Sequence, residues 1–359
     1  FMSGLLRGWL GGEDWPTSCA YANACGAFAV SRHGCAPAVP SWQELEYFLE
    51  HGSEHHALRF DPVLSHIHRT TNRRNQHERL VAFAIDHRHQ FTSWAQAAGK
   101  TPAHIDQFKQ LAVQAAVQEA GQDSGFGMLV DDRTGRSALH QITSTKAGVG
   151  RPIESSGVFP LRLEAEGDIV QHLFDWPLNQ TVKVLCPYRL DDDAATRQHH
   201  EELMVRLDQA CRFTGHQWLL EIITARDDNT PAFEQVAPIM QHFYKLGVKP
   251  DWWKLEPGKE DSYWTNIARV IDNNDLHCQG VIVLGLDGTA DSISESFKIA
   301  ASQPWVRGFA IGRTLFSQAA KDWLARKIDD AVAVGNMRQN YRRLINEWDA
   351  ACASSKRNI

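Results

Sequence analysis

Residues 218–255 read WLLEIITARDDNTPAFEQVAPIMQHFYKLGVKPDWWKL, and this stretch decides the predicted fold. The apolar runs at its two ends, 218–223 and 251–255, have the length of buried strands. Between them, Thr230-Pro231 is the pattern of a helix N-terminus, with an N-cap residue followed by proline. A strand, a helix and a second strand in this order predict a parallel βαβ unit.

The same alternation runs along the chain from about residue 80. Further apolar runs predict strands at 80–86, 126–131, 159–164, 182–186, 280–284 and 306–311. A parallel sheet commonly closes on itself when it has eight strands that alternate with helices. We therefore predict an α/β fold, a (β/α)8 TIM barrel. A doubly wound open sheet is the alternative, although no G-x-G-x-x-G follows the first strand.

The helices between these strands begin at recognisable capping patterns. Thr101-Pro102 places an N-cap residue before proline, and the aspartates at 191–193 put negative charge where a helix begins. Ser292-x-x-Glu295 has the spacing of a capping box and predicts a further helix start.

The first fifty residues have a different texture, rich in small residues and short helical patterns. Ser41-x-x-Glu44 forms a capping box ahead of an apolar run. This segment is too short to be expected to hold a core of its own. We predict a short α-rich segment at 1–54 followed by the barrel at 58–353.

Composition excludes several classes of protein. The 359 residues carry a net charge of −6, so the basic footprint of a nucleic-acid-binding protein is missing. No run approaches the roughly 18 apolar residues of a membrane span, and residues 1–11 lack the pattern of a signal peptide. The seven cysteines are odd in number and never form C-x-x-C. We expect a cytoplasmic protein with reduced thiols.

Four ionisable residues stand in or directly after apolar strands. They are Asp86, Lys183, Glu221 and Lys254. A buried charge without a partner costs several kcal/mol, so these side chains must meet partners. A cluster of structural ion pairs is one interpretation. The other is a catalytic site, because the active site of a barrel forms where its strands end.

Two lysines beside a glutamate are the groups that imine chemistry requires. A lysine must lose its proton to attack a carbonyl, and burial beside another cation lowers its pKa. We predict Lys254 as the nucleophile and Lys183 as the neighbouring cation. Glu221 would transfer protons, and Asp86 would act on a substrate hydroxyl or orient a lysine.

Glycines after the last two predicted strands indicate a phosphate site. Gly285 follows the seventh strand, and Gly312-Arg313 follows the eighth, each leading into a helix. Loops at these two positions often bind phosphate in barrels, through backbone N–H groups, a helix N-terminus and a cation.

An H-x-H pair, His87 and His89, directly follows the first predicted strand and raises the hypothesis of a metal-dependent hydrolase. Such sites also need histidines at the fifth and sixth strands and an aspartate at the eighth. This chain has Glu221, Lys254 and Gly312 there. A zinc-dependent aldolase would likewise need three convergent ligands. We therefore expect no metal and no cofactor, and place the two histidines at the rim.

From about residue 80 to residue 316 the chain resembles the class I aldolases related to tagatose bisphosphate aldolase. Within them it is most similar to the domain that some bacteria fuse behind 5-dehydro-2-deoxygluconokinase in myo-inositol breakdown. The family's catalytic aspartate, lysine, glutamate and Schiff-base lysine match Asp86, Lys183, Glu221 and Lys254. Its phosphate pocket matches Gly285 and Gly312-Arg313.

The front segment resembles the C-terminal end of a ribokinase-like sugar kinase. The resemblance lies in Phe1-Met-Ser-Gly-Leu-Leu6, in residues 22–27 and in residues 32–37. It implies that residues 1–54 are a kinase remnant, that the kinase's catalytic aspartate and anion-hole glycines precede Phe1, and that this chain alone phosphorylates nothing.

The resemblance implies a substrate, a phosphorylated keto sugar acid. This is 6-phospho-5-dehydro-2-deoxygluconate, cleaved to dihydroxyacetone phosphate and malonate semialdehyde. Lys254 would condense with the C5 ketone, and Asp86 or Glu221 would take the C3 hydroxyl proton before the C3–C4 bond breaks. The candidates for binding the C1 carboxylate are Arg88, Arg189 and Arg226.

Two other functions stay open at this point. One is a non-catalytic barrel that regulates the kinase domain of a parent protein, and the other is the metal-dependent hydrolase. Homo-oligomer formation is also left open.

Overall fold

The computed structural model describes residues 1–73, 76–121, 123, 125–165, 167–225, 231–285 and 290–356. The chain divides into two compact units, Phe1–Arg74 and Asn75–Ile359. The boundary therefore lies further along the chain than the predicted position between residues 54 and 58. No helix in the described ranges combines the length and the apolar content needed to cross a membrane.

The first unit is a small helical bundle with its own core. Its helices are α1 (Met2–Gly11), α2 (Trp15–Ser31), α3 (Trp42–His51) and α4 (Pro62–Thr71). Ser41 caps α3 as predicted, accepting a hydrogen bond from the backbone N–H of Glu44. Leu58 and Leu64 pack with Phe28 and Leu45 in the core. Residues 58–71 belong to this unit because they complete that core.

The second unit is a closed barrel of eight parallel strands in chain order, which confirms the predicted (β/α)8 architecture. Its strands are β1 (Leu80–Ala84), β2 (Phe126–Leu129), β3 (Gly148–Pro152), β4 (Gln180–Pro187), β5 (Trp218–Ile223), β6 (Trp252–Leu255), β7 (Gly280–Leu284) and β8 (Val306–Ile311). Its helices are α5 (His89–Ala97), α6 (Pro102–Ala120), α7 (Arg136–Thr143), α8 (Ile169–Phe174), α9 (Ala194–Thr214), α10 (Phe233–Lys245), α11 (Asp261–Asn274), α12 (Ala290–Ala300), α13 (Arg313–Leu324) and α14 (Asp330–Lys356).

Two of the predicted helix starts in the barrel are confirmed. Thr101 caps α6 in a capping box, and Asp193 caps α9 by accepting from Thr196 N–H. The start at Ser292 is wrong, because that residue lies inside α12. The predicted start at Thr230-Pro231 is also wrong: Thr230 lies outside the described residues, but Pro231 is not helical, and α10 begins at Phe233 with Ala232 as its N-cap.

The predicted third strand is wrong. Residues 159–164 form part of an excursion between β3 and α8 that folds back on itself, with Ser155 N–H donating to the carbonyl of Arg162. The true β3 contains two glycines and one proline, so it lacks the apolar pattern of a strand. Small residues are required there, since a Cβ on Gly150 would lie 2.3 Å from the Leu129 side chain.

Strand alternation separates two apolar layers. Val81, Phe83 and Ile85 point outward and pack under the helices, in the main core. The barrel interior is filled by Leu80, Ala82, Ala84, Leu129, Leu219, Trp252, Ile282 and Ala310. Because side chains along a strand alternate between the two faces, the next interior positions toward the C-terminal mouth are two residues further on.

The barrel closes where β8 pairs with β1, at Gly308 and Leu80. Gly308 has φ 155°, and a Cβ at this position would lie 1.9 Å from the backbone oxygen of Leu80. Any larger residue would push the two closing strands apart.

We expect Gly308→Ala to lower the free energy of unfolding by about 2–5 kcal/mol, from the unfavourable φ and from overpacking. Gly335→Ala is the matched control, since Gly335 lies in α14 and a Cβ there would meet open space. It should stabilise by up to about 1 kcal/mol, because alanine is the better helix former. Urea unfolding followed by tryptophan fluorescence measures both, and equal effects would contradict the closure constraint.

Candidate active site

Strand alternation brings the four predicted residues together at the mouth. Asp86 continues the interior row of β1, while Lys183, Glu221 and Lys254 occupy interior positions of β4, β5 and β6. Glu221 is the direct register partner of Lys254. All four are buried, and all four line one cavity of about 390 Å³.

Lys183 lies at the centre of the cluster. Its Nζ is 3.1 Å from Asp86 Oδ2, 3.1 Å from Glu154 Oε1 and 3.0 Å from Glu221 Oε2. Burial lowers the pKa of this ammonium group, but the three carboxylates outweigh burial and raise its pKa above the ordinary value. Lys183 is therefore held as a cation.

Lys254 has a simpler environment. Its Nζ donates to Glu221 Oε1 at 2.7 Å, and both side chains are buried. Burial raises the pKa of the Glu221 carboxyl group, but Lys183 and Lys254 outweigh it, so the pKa lies below its ordinary value. One carboxylate thus bridges the two lysines.

Asp86 is also held in its charged form. Burial raises the pKa of Asp86, but Lys183, His87 and Lys254 outweigh burial and bring that pKa well below the ordinary range. The cluster accordingly fixes the charges of its buried carboxylates and of Lys183 near neutral pH.

Glu154 is a site residue that the sequence analysis missed. It follows β3 by two residues, and its Oε2 also accepts from the backbone N–H of Leu185 at 3.2 Å. Arg88 approaches the same carboxylate, with Nη2 2.7 Å from Oε1. The signal for Glu154 is an acidic residue two positions beyond a strand, and it was hidden because the glycine-rich strand itself was not recognised.

Arg88 and Arg189, two of the predicted ligands of a substrate carboxylate, are engaged in ion pairs within the protein. Arg88 is buried and already binds two carboxylates, Glu154 and Glu164. Arg189 forms a surface ion pair with Asp191, at 2.8 Å. Arg226 lies outside the described residues. We therefore assign Arg88 to holding the site together and give Arg189 no role in it.

The predicted phosphate residues lie on neighbouring strand ends. Gly285 directly follows β7, and a Cβ there would contact Ile311 at 3.1 Å. Gly312 is the N-cap residue of α13, and Arg313 is the first residue of that helix. A Cβ on Gly312 would lie 2.6 Å from His87 Cε1, so Gly312 adjoins the cavity wall at His87.

His87 belongs to the wall of the cavity. Its ring packs edge-on against Phe316, and its Nδ1 is 3.8 Å from Asp86 Oδ1. Burial lowers the pKa of His87 to about 4, helped by Arg313 and Lys254. The imidazole is therefore neutral at pH 7.

The metal hypothesis finds no support among the described residues, where no group of three or more histidine, cysteine or acidic side chains is arranged to hold a metal ion. Three carboxylates do converge at the mouth, but they converge on the ammonium group of Lys183.

Fold and site together define a parallel (β/α)8 barrel with buried lysines and carboxylates at its C-terminal mouth. Barrels of this kind commonly are enzymes with the active site at this face. The chain belongs to a bacterial family whose model matches residues 44–352 and is described as "Uncharacterized protein conserved in bacteria (DUF2090)".

Among solved structures, one to which the chain is similar is the crystal structure of the protein Cgl0159 from Corynebacterium glutamicum. The two share 19% sequence identity with a TM-score of 0.48, over 85% of this chain and 98% of the other. A comparison with functionally curated proteins finds no match.

Removing the Glu154 carboxylate should destabilise the protein strongly. We expect Glu154→Ala to lower the free energy of unfolding by about 3–5 kcal/mol, because Lys183 and Arg88 both lose a buried partner. The control is Arg189→Ala, which removes a surface ion pair and should change the free energy of unfolding little. Urea unfolding measures both variants, and a loss at Glu154 no larger than that at Arg189 would contradict the buried network.

The lowered pKa of Asp86 also predicts how stability depends on pH. A carboxyl group whose pKa is lower in the folded state stabilises above its unfolded pKa, about 3.9, and loses this contribution as the pH falls. The free energy of unfolding should decrease below about pH 5, and Asp86→Asn should flatten that decrease. Denaturation at a series of pH values tests this, with the exposed Asp175→Asn as a control that keeps the slope.

Proposed function

We propose that this protein is a class I aldolase, in which Lys254 forms an imine with a keto sugar phosphate. The observation that carries the proposal is the buried contact of 2.7 Å between Lys254 Nζ and Glu221 Oε1, in a cavity at the mouth of the barrel. Imine formation needs a lysine that faces a cavity and a group that takes its proton. Both are present in this pair.

The surroundings of the two lysines favour Lys254 as the nucleophile. Lys183 is bound by three carboxylates, which keep its proton in place. Lys254 contacts Glu221 alone among the ion pairs seen in the described ranges. Passing one proton to Glu221 therefore frees the Lys254 amine for attack on a carbonyl carbon.

The Lys183 cation supports the same chemistry in a second way. When Glu221 takes the proton of Lys254, Lys183 remains 3.0 Å from the other oxygen of that carboxyl group. Glu221 can then return the proton to the carbinolamine oxygen, so that water leaves and the iminium forms. The iminium accepts the electron pair of the breaking carbon–carbon bond.

The proposed substrate is 6-phospho-5-dehydro-2-deoxygluconate, with dihydroxyacetone phosphate and malonate semialdehyde as products. Its phosphate would bind at Gly285, Gly312 and Arg313, where backbone N–H groups and the N-terminus of α13 favour an anion. Gly312 adjoins His87 in the wall of the cavity that holds Lys254. The kinase-derived origin of residues 1–54 belongs to the same proposal and is supported by the sequence resemblance alone.

The test is reductive trapping. Incubation with dihydroxyacetone phosphate and borohydride should give a covalent adduct, because borohydride reduces an imine to a stable amine. Mass spectrometry of the digested protein should locate the adduct on Lys254. Lys254→Met should abolish trapping, whereas Lys146→Met, which removes an exposed lysine, should leave it unchanged.

A folded protein that gives no adduct at any lysine would overturn the assignment. An adduct at Lys183 in place of Lys254 would overturn the choice of nucleophile. Activity that survives Lys254→Met and disappears with a chelator would favour a metal-dependent hydrolase.

A further inference from the structure

His87 is an ionisable side chain in the wall of the cavity, and the contacts described so far supply no role for it. It lines the same cavity as Lys254 and follows Asp86 directly on the chain. Its Nδ1 is buried and has no hydrogen-bond partner among the described residues. A buried polar nitrogen without a partner costs free energy, and a catalytic role is one explanation for keeping such an atom.

The three carboxylates at the mouth are held by their partners. Asp86 and Glu221 are ion-paired to Lys183, which stabilises both as carboxylates. Glu154 binds Arg88, Lys183 and a backbone N–H. Glu221 is further occupied with the proton of Lys254. All three carboxylates are therefore ion-paired to Lys183, so bond cleavage needs a proton acceptor that is not already bound to a cation.

We propose that His87, and not Asp86, is the base that accepts the substrate hydroxyl proton when the carbon–carbon bond breaks. This inference rests on the proposed function and deepens it. The O–H bond of the C3 hydroxyl gives its proton to His87, and an aldehyde C=O forms as the C3–C4 bond breaks. The bonding electrons move to the Lys254 iminium and produce an enamine.

The same proton completes the cycle. Protonated His87 returns it to C4 of the enamine, which restores the iminium, and water then hydrolyses the iminium to release the ketone and the Lys254 amine. No oxidant, reductant or further reactant is required. Asp86, with its Oδ1 3.8 Å from His87 Nδ1, stabilises the imidazolium that forms between the two steps.

The charges around His87 set how this step depends on pH. Asp86 favours the protonated imidazole, while burial, Arg313, Lys254 and Lys109 disfavour it. His87 is therefore unprotonated throughout the range in which an ordinary histidine titrates, near pH 6.5. The rate constant kcat/KM should accordingly stay level between pH 7 and pH 5.5.

The experiment follows exchange of a C–H proton of dihydroxyacetone phosphate with deuterium oxide, by proton NMR, because exchange requires enamine protonation and needs no second substrate. His87→Gln should slow exchange about 100-fold or more, the usual contribution of a general base. Borohydride should still trap the imine in this variant, since Lys254 and Glu221 are intact. His140→Asn, which removes an exposed imidazole, should exchange as wild type does.

Rescue separates a catalytic from a structural role. His87→Ala with subsaturating imidazole should regain exchange at least tenfold, with a new pH dependence near 6.5 from the added imidazole. If His87→Ala does not fold, His87→Gln alone decides the question.

The role of His87 is overturned if borohydride traps both wild type and His87→Gln and the variant exchanges at the wild-type rate. That result would leave the aldolase proposal standing. Wild-type protein that is neither trapped nor exchanges would overturn both.

Discussion

The site depends on the burial of a single ammonium group, that of Lys183. Removing a charge of this kind from water costs several kcal/mol, and only good geometry with several partners offsets the cost. Here three carboxylates supply that geometry, two from the chain just after β1 and β3 and one from β5. The cation in turn offsets the free-energy cost of burying each of those carboxylates. The buried cation and the buried carboxylates therefore depend on one another, and their ion pairs join separate strands at the mouth of the barrel.

In the proposed mechanism, this arrangement gives the two lysines different roles. Three carboxylates hold the proton of Lys183 in place, so its amine is not available as a nucleophile. Lys183 serves as the fixed positive charge of the site. Lys254 shares one of those partners, Glu221, and so has a route by which its proton leaves. A barrel with only one of the two lysines would have either a rigid charge or a reactive amine. The pair supplies both, from β4 and β6, on either side of Glu221 on β5.

Much of this could be predicted from the sequence, for a physical reason. A charge within an apolar strand is rare enough to be informative, so Lys183, Glu221 and Lys254 were recognisable one by one, and a parallel sheet brings strand ends together. Glu154 could not be recognised, because its strand is marked by small residues that make room for Leu129 and not by apolar ones. The buried role of Arg88 could not be predicted either, since it depends on a partner that was itself unseen. Residues 159–164 alternate like a strand because one side of the excursion faces the protein.

That excursion between β3 and α8 has a consequence for how the family could diversify. Its two ends carry Glu154 and Glu164, and one arginine, Arg88, holds both. The tip between them, from Ser155 to Leu161, forms a wall of the cavity but bears none of the charges of the cluster. A tip of different length or polarity could therefore replace this one and change which molecules enter the cavity. The ion pairs of Arg88 at the base of the excursion would keep the charged groups of the site in place.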